Sequence, residues 1–463
     1  MKKLITTLLL FGLLFGFIFA VFNTLSLFSL QKNIDFNPNS LTLSTSEIEN
    51  ISKALRYETV ADSNNTNNEE FKNFHQFIKT NFAHLHQNTA ISYQIFNNNA
   101  ILYKWKSKNS KQNPAIWIAA QDVATPELKN VPLWKYNPFV GKYENDTFYG
   151  AGAATQKMAL IAMLSAWELH SKTEFYPQKD IYLLLSADNY SLNALDCKTA
   201  ATVFYKQDIR FSYVLAAGGL ISADNQLVND KNIAFVGTSS KNKLHFSAKS
   251  INNVNISELL LKISTLSSKI SLSENSTAAL NKYLSPELEF FDRFLFANEA
   301  AFGYFVKQKL LKDSFLNAAF RVETQILAID STNGQAEFII YLPQSYNVEQ
   351  FCNNIITDSA NYIISIIEKQ VFANNTAADS WEFGLLERII KQEFKKTIVF
   401  PAPTYQFSPA SYFQKISDKV FYFSPLLIST NDWANYNNNI NPNINTAAYI
   451  KMKLFYYQLL SVQ

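Results

Sequence analysis

The sequence predicts an α/β protein: a mostly parallel central sheet flanked by helices, an α+β unit inserted into it, and an apolar helix at the N-terminus. Three observations carry this. Between residues 115 and 216, short apolar runs alternate with helical periodicity, the strand–helix–strand–helix–strand pattern of a parallel sheet. From about Lys243 the texture changes to alternating strands mixed with helices, as in a separate layer. Leu4 to Leu30 is free of charge. The chain's 463 residues suit two domains plus an anchor.

The N-terminal run follows Lys2 and Lys3. Roughly 20 apolar residues cross a bilayer, and Leu4–Phe22 nearly suffices by itself. The positive-inside rule keeps the two lysines cytoplasmic and puts the body outside: in the periplasm, on the cell surface or in a secretory lumen. The rival is a cleaved signal peptide, which would make the protein secreted; Ile18-Phe19-Ala20 is a poor cleavage site for it. Residues 31–50 read as a polar tether. Asn64-Asn65-Thr66 and Asn275-Ser276-Thr277 would be glycosylation sequons in a eukaryotic host.

In the body, Phe71, Phe74, Phe77, Ile78 and Phe82 recur at helical spacing over Glu69–His86. Two alternating strands, Ala90–Phe96 and Ala100–Lys106, flank an Asn turn. Buried strands follow at Ala115–Ala120, Asp180–Ala187 and Phe211–Ala216, with helices at Met158–His170 and Asn193–Tyr205 between them. In the later layer Lys243–Ser250 and Gln335–Leu342 read as strands, and Ile256–Leu266 and Val348–Glu368 as helices. Glu382–Phe394 and Thr446–Leu460 are further helices. The expected organisation is 1–30 anchor, 31–50 tether, 51–240 first part of the main domain, 241–372 inserted unit, and 373–463 second part.

Composition limits the function. Hydrophobic content of 48% and aromatic content of 14% supply large cores. A net charge of +3 with 17% charged residues gives no basic face for nucleic acid. Two cysteines, Cys197 and Cys352, make no disulfide framework; buried free thiols are expected, a single bridge being the alternative. There are five histidines, and none follows His245.

Sites in such sheets form at the C-terminal ends of strands, here Ala120–Asp122, Ala187–Tyr190 and Ala216–Gly219. The segments there carry an ordered resemblance. AIWIAAQDVATP stands where a known family has an apolar strand followed by Ala-His-x-Asp-Val-Val-Pro. Trp134 with Asn137-Pro138-Phe139-Val140-Gly141 matches its Trp…Pro-Pro-Phe-Ser-Gly. FYGAGAATQK matches Tyr-Gly-Arg-Gly-x-x-Asp-Asp-Lys, LSADNY matches a strand ending in Asp-Glu-Glu, and VLAAGG matches Val-Asp-Glu-Gly-Gly. Over roughly residues 50–460 the chain resembles the dinuclear-zinc exopeptidase and aminoacylase family, which includes glutamate carboxypeptidase, succinyl-diaminopimelate desuccinylase and aminoacylase. It lies nearest the carboxypeptidase S-like N-acyl-amino-acid hydrolases.

The resemblance implies two zinc ions roughly 3.5–4 Å apart sharing a hydroxide that attacks an amide carbonyl. It also implies a ferredoxin-like inserted lid that pairs two copies of the chain. Residue by residue, the first ligand histidine falls on Ala120, with its orienting aspartate kept as Asp122. The bridging aspartate falls on Thr155. The strand that ends the family's Asp-Glu-Glu keeps its first acid as Asp188; the general-base glutamate falls on Asn189 and the next ligand on Tyr190. Another aspartate ligand falls on Ala216, and the last histidine near Asn437. The substrate-clamp arginine falls in SPASYF (408–413), and a Gly-His pair of the lid on Asn252-Asn253. Alanine has no donor atom, and Asn accepts no proton as Glu does.

No catalytic residue, metal ligand or cofactor is therefore expected. The expected function is that of a membrane-anchored, exported pseudoenzyme of this family. Its partners would be the membrane, a second copy through the inserted unit, and a protein or small-molecule ligand. The alternative is an active metallopeptidase or amidohydrolase with a rebuilt site. The plain reading of Asp122 and Asp188 is capping of turns or helix starts. Lys157 is expected to be solvated, and His84 and His86 to play surface roles. Tyr190, Tyr412 and the Asn cluster near Asn437 either line a neutral pocket or fill the cleft.

Overall fold

The structure is a computed structural model. It describes residues 2–61, 68–108, 111–191, 194–229, 231–251, 254–268, 270–357, 361–372, 376–429, 432–437 and 440–463. The first sequon, Asn193, Asn252-Asn253 and Asn438-Asn439 lie outside the described residues.

The apolar N-terminal run forms one helix, Lys2–Leu25. The main sheet has ten strands. Its order runs from Ile91–Phe96 through Ala100–Trp105, Ile181–Ser186, Ala115–Ala120, Tyr213–Ala216, Val420–Tyr422, Lys231–Ser239 and Leu220–Asn225 to Leu427–Ser429. Thr397–Pro403 pairs with Lys231–Ser239 off this path. The centre is parallel: Ala115–Ala120 runs parallel to both neighbours. The edge hairpin Ile91–Trp105 is antiparallel, turned by Asn97 and Asn98 at φ 45° and 71°, as asparagine allows. The sheet is thus mixed, and parallel where the site residues fall.

Helices cover the sheet. Gln156–Ser171 is buried almost all round and lies in one apolar core with Trp117 and with Phe455, Tyr456 and Leu459 of the last helix, Thr446–Ser461. Continuous apolar runs in the central strands match burial on both faces. The early helix stops at Asn81, and a short one resumes over Ala83–Gln87.

A second, four-stranded sheet is antiparallel, in the order Glu323–Asp330, Gln335–Leu342, Asn242–Ser250, Tyr362–Gln370. Helices Ile256–Thr265 and Val348–Thr357 contribute Leu259, Ile263, Cys352 and Ile355 to the core on its strands. This corrects the single helix expected over Val348–Glu368: the helix ends at Thr357, and Tyr362–Gln370 is an edge strand. The isoleucines at 363, 364, 366 and 367 favour a strand, and Asn242–Ser250 supplies the partner.

No element was expected over 274–320, yet this stretch is largely helical: Glu274–Ala279, Phe290–Ala297, Glu299–Lys312 and Ser314–Phe320. The polar segment after the N-terminal helix lies along the body. Gln31 donates to the carbonyls of Tyr283 and Val399 at 3.0 and 2.7 Å, and the Lys32 amide donates to Glu387 at 2.7 Å. Cys197 and Cys352 are both free and buried.

Candidate functional site

The strand ends meet where the topology predicts. Ala120 closes its strand with no exposed surface. Gln121, also buried, donates to the carbonyls of Asn99 and Leu185 and bonds His75 at 2.8 Å. Asp122 comes next. Its Oδ2 accepts the Tyr190 amide at 2.8 Å, tying two strand-end loops together. Its Oδ1 is buried without a hydrogen-bond partner. Burial pushes the carboxyl up to about 7, against the stabilising amides of Tyr190 and Asn189.

Thr155, where the resemblance places the bridging aspartate, is a helix cap. Thr155 Oγ1 accepts from the Lys157 amide at the start of Gln156–Ser171. The Lys157 side chain is fully buried, which corrects the solvated reading. Its Nζ donates to the Tyr57 carbonyl at 2.8 Å and to Thr59 Oγ1 at 3.0 Å, and it lies 4.9 Å from the centre of the Phe74 ring. Burial pulls the amine down to about 7, with Asp122 and Glu70 pulling the other way. The methylene stem fills the space beside Gly152, where a Cβ would stand 3.0 Å from Lys157 Cδ.

At the next strand end, Asp188 turns to helix Leu195–Lys206. Its Oδ2 accepts the amides of Leu195 and Asp196 at 2.5 and 3.1 Å, the capping role of the plain reading. Asp196 accepts the Ala187 amide at 2.7 Å, and burial with the Asp188 charge pushes it up to about 8. The sequence reading missed Asp196; an acid in the first turn of a helix was the available signal. Asn189 and Tyr190 are half-buried, and the Tyr190 phenol, raised by burial, feels Asp122 and Tyr436.

Ala216 is 2% exposed and belongs to an apolar layer with Ile118, Cys197 and Tyr422. Asn437 ends the short helix Trp433–Asn437, and its side chain is outside the described residues. Beside it the Tyr405 and Tyr436 hydroxyls bond at 2.8 Å, and the Trp433 ring lies 5.5 Å from Tyr405 and 5.7 Å from Phe315. Tyr190 lies within electrostatic reach of the Tyr405 and Tyr436 hydroxyls. Tyr412 has other neighbours, Phe372 and Lys198. In SPASYF, Ser411 bonds the Tyr422 hydroxyl at 2.8 Å.

His84 pairs with Glu168 at 2.7 Å while His86 bonds the Tyr103 hydroxyl, so the two imidazoles have separate partners. Among the described residues, no three His, Cys, Asp or Glu side chains converge as a metal site. At four of the five positions that the resemblance assigns to ligands, Ala120, Thr155, Tyr190 and Ala216, stand two methyl groups, a capping hydroxyl and a phenol, the fifth side chain, Asn437, lying outside the described residues. That set does not fit two zinc ions.

The scaffold glycines of the motifs have local reasons. Gly219 sits at φ +60°, and a Cβ there would come within 2.4 Å of the Phe235 carbonyl oxygen; Gly141, at φ +55°, would meet the Ser52 oxygen at 2.1 Å.

No family model matches the chain. Among curated proteins it is 24% identical to a probable carboxypeptidase S-like protein of Dictyostelium discoideum over 99% of this chain and 93% of that one. It is 26% identical to carboxypeptidase S of Saccharomyces cerevisiae over 43% of this chain and 36% of that one. With human N-fatty-acyl-amino acid synthase/hydrolase PM20D1 the identity is 19%, over 88% and 86% of the two chains. The fold matches an M20 family metallo-carboxypeptidase of Sulfolobus solfataricus (TM-score 0.62, 14% identity, 90% of this chain and 99% of that one). It also matches human carnosine dipeptidase 1 (TM-score 0.60, 13% identity, 90% and 96%). In these relatives, in the fold and in the order of its motifs, the chain is similar to the M20 aminoacylase/carboxypeptidase family.

Proposed function

We propose that this chain has given up dinuclear hydrolysis and acts as a membrane-anchored, exported binding protein or scaffold. The observation that carries the reading is the setting of Ala216, sealed in an apolar layer at a strand end where the resemblance assigns a zinc ligand. The loss at Ala120, Thr155, Asn189 and Tyr190 agrees with it. The test is zinc content of the full chain in detergent after incubation with excess zinc and desalting. Less than about 0.1 zinc per chain is expected; a stoichiometric zinc overturns the reading, since ligands in place would bind metal tightly.

The rebuilt-enzyme alternative has one observation in its favour. Asp122, held near 7 with a free lone pair, has the protonation range of a general base. It is fully buried, however, so no substrate atom reaches it in this conformation. Hydrolysis of N-acyl amino acids abolished by Asp122→Asn would favour the alternative.

Anchoring is supported by the helix Lys3–Leu25, 23 residues long and unburied in its most apolar window. Resistance of the membrane-bound chain to alkaline extraction tests it. Pairing of two copies through the inserted unit is supported by exposed Ile326, Ile329, Ile363 and Ile367 on its edge strands. A mass measured by light scattering in detergent tests that.

A further inference from the structure

The helices Phe290–Ala297 and Glu299–Lys312 form a hairpin that none of the motifs touches. Two features set it apart.

The first is what it exposes. Phe290, Phe291, Tyr304 and Phe305 are 52%, 68%, 70% and 54% exposed. Four large aromatic side chains on one small hairpin are unusual for a surface that faces only water. The hairpin is otherwise well built: Lys309 pairs with Asp292 at 2.8 Å, and the Phe294 and Phe302 rings meet at 5.3 Å. The exposure is therefore not a loose end.

The second is where it is fastened. Asn298 sits at the hairpin turn. Its Nδ2 donates to the Ala20 carbonyl at 3.0 Å and to Thr24 Oγ1 at 3.3 Å, and its Oδ1 accepts from Asn23 at 3.2 Å. The Phe17 and Phe294 rings lie 6.2 Å apart. Below the hairpin, the Leu30 amide donates to the Lys282 carbonyl and Ser29 bonds Glu287. These contacts fasten the hairpin to the N-terminal helix.

We propose that this hairpin lies in the headgroup–acyl boundary of the membrane crossed by the N-terminal helix, and fixes the orientation of the body on that surface. The proposal rests on the anchoring reading above. The depth is consistent. With Phe22 at the outer end of the span, Phe17 lies ~7.5 Å inside it at 1.5 Å per residue. Interfacial helices bury their apolar face ~5–10 Å deep. Phe294, whose ring lies 6.2 Å from that of Phe17, is thereby placed close to that range. Aromatic side chains suit this depth, where an apolar body meets a wet boundary. The occupant is the bilayer itself, because the hairpin is fastened to the helix that, on the anchoring reading, the bilayer surrounds.

The test is site-directed spin labelling of the full chain in phosphatidylcholine–phosphatidylserine vesicles. Labels go on Phe291→Cys, Tyr304→Cys and Phe305→Cys, with Leu14→Cys as the reference inside the span and Leu128→Cys, 89% exposed, as the reference in water. The native thiols are each 2% exposed, and the unsubstituted chain serves as the labelling blank. Oxygen and a water-soluble nickel complex report depth. The expected result is Leu14 deep and at least two of the three hairpin positions immersed by ~5–10 Å. Hairpin labels that match Leu128 while Leu14 stays deep overturn the proposal and leave the anchor standing. A water-exposed Leu14 overturns the anchor reading and the proposal with it. Labels shielded from both reagents and broadened by one another would mean that a second copy covers the face, which also overturns a lipid occupant.

Discussion

Lys391 and Lys157 are both buried lysines, held on opposite terms. Lys391 lies on helix Trp381–Glu393. It bonds Glu387 at 2.8 Å and the Lys32 carbonyl at 2.7 Å, and Glu387 in turn accepts the Lys32 amide. Each charge there has a direct opposite partner, and the arrangement stitches the segment after the N-terminal helix to the body. Lys157 at the strand ends bonds only neutral oxygens, and the nearby Asp122 keeps one oxygen unbonded. Burial drives both groups to about 7. A structural seam satisfies its buried charges; the strand ends hold a cation and an acid apart. Poorly compensated buried charge gathers at functional sites, and here it lies at the strand ends where the candidate site falls.

The contrast can be broken most forcefully at the seam. Glu387→Ala leaves the Lys391 ammonium buried without its counter-charge, so a loss of about 3–5 kcal/mol is expected in urea denaturation. Lys157→Met at the strand ends is expected to cost less, about 1–3 kcal/mol. It removes one bond each from the Tyr57 carbonyl and the Thr59 hydroxyl, which keep the Thr59 amide and the Gln121 carbonyl as partners, and it relieves the burial of a cation. Equal losses at the two positions would erase the distinction.

The strand-end pair also predicts a pH signature. Asp122 is raised from 3.8 to about 7 on folding, so the native state holds a proton that the unfolded chain releases. Its contribution is full below 3.8 and lost as pH rises toward 7. Lys157 is lowered from 10.5 to about 7, so the unfolded chain holds the extra proton, and stability rises between about 7 and 10.5. Melting temperature across a pH series should dip near neutrality. Asp122→Asn should flatten the acid limb and Lys157→Met the basic limb; limbs that survive both substitutions would place the dip elsewhere.

Smaller effects sharpen the reading of the ligand positions. Thr155→Ala should cost about 1 kcal/mol through loss of the helix cap. Thr155→Asp should be tolerated, since aspartate caps as well as threonine. A Thr155→Ala variant as stable as the parent would show that the hydroxyl does not cap. Tyr405→Phe, which removes the bond to Tyr436, should cost about 0.5–1.5 kcal/mol and leave the aromatic cluster packed; near-ultraviolet circular dichroism checks that packing.

Some elements were legible because local chemistry and tertiary need agree. Ala115–Ala120, Ile181–Ser186 and Gln156–Ser171 are apolar all round because they are buried all round. The Asn97-Asn98 turn was legible because few residues take positive φ without strain. The strand Tyr362–Gln370 was not, since a run of isoleucines after a helix reads as more helix until a neighbouring strand offers its hydrogen bonds. The helices of 274–320 escaped because no motif spans them and their exposed aromatics blur the amphipathic period.

At the candidate site, residue types were readable and environments were not. That Ala120 and Ala216 carry no donor atom follows from the sequence with no structure at all. So does the order of motifs that leads to the family, because turns and close approaches demand glycine at fixed places. Only the tertiary structure decided that Lys157 is buried, that Asp122 binds the Tyr190 amide, and that Trp433, Tyr436 and Tyr405 meet. Burial and proton affinity are set by groups remote in sequence and brought together by packing, and no local pattern encodes them.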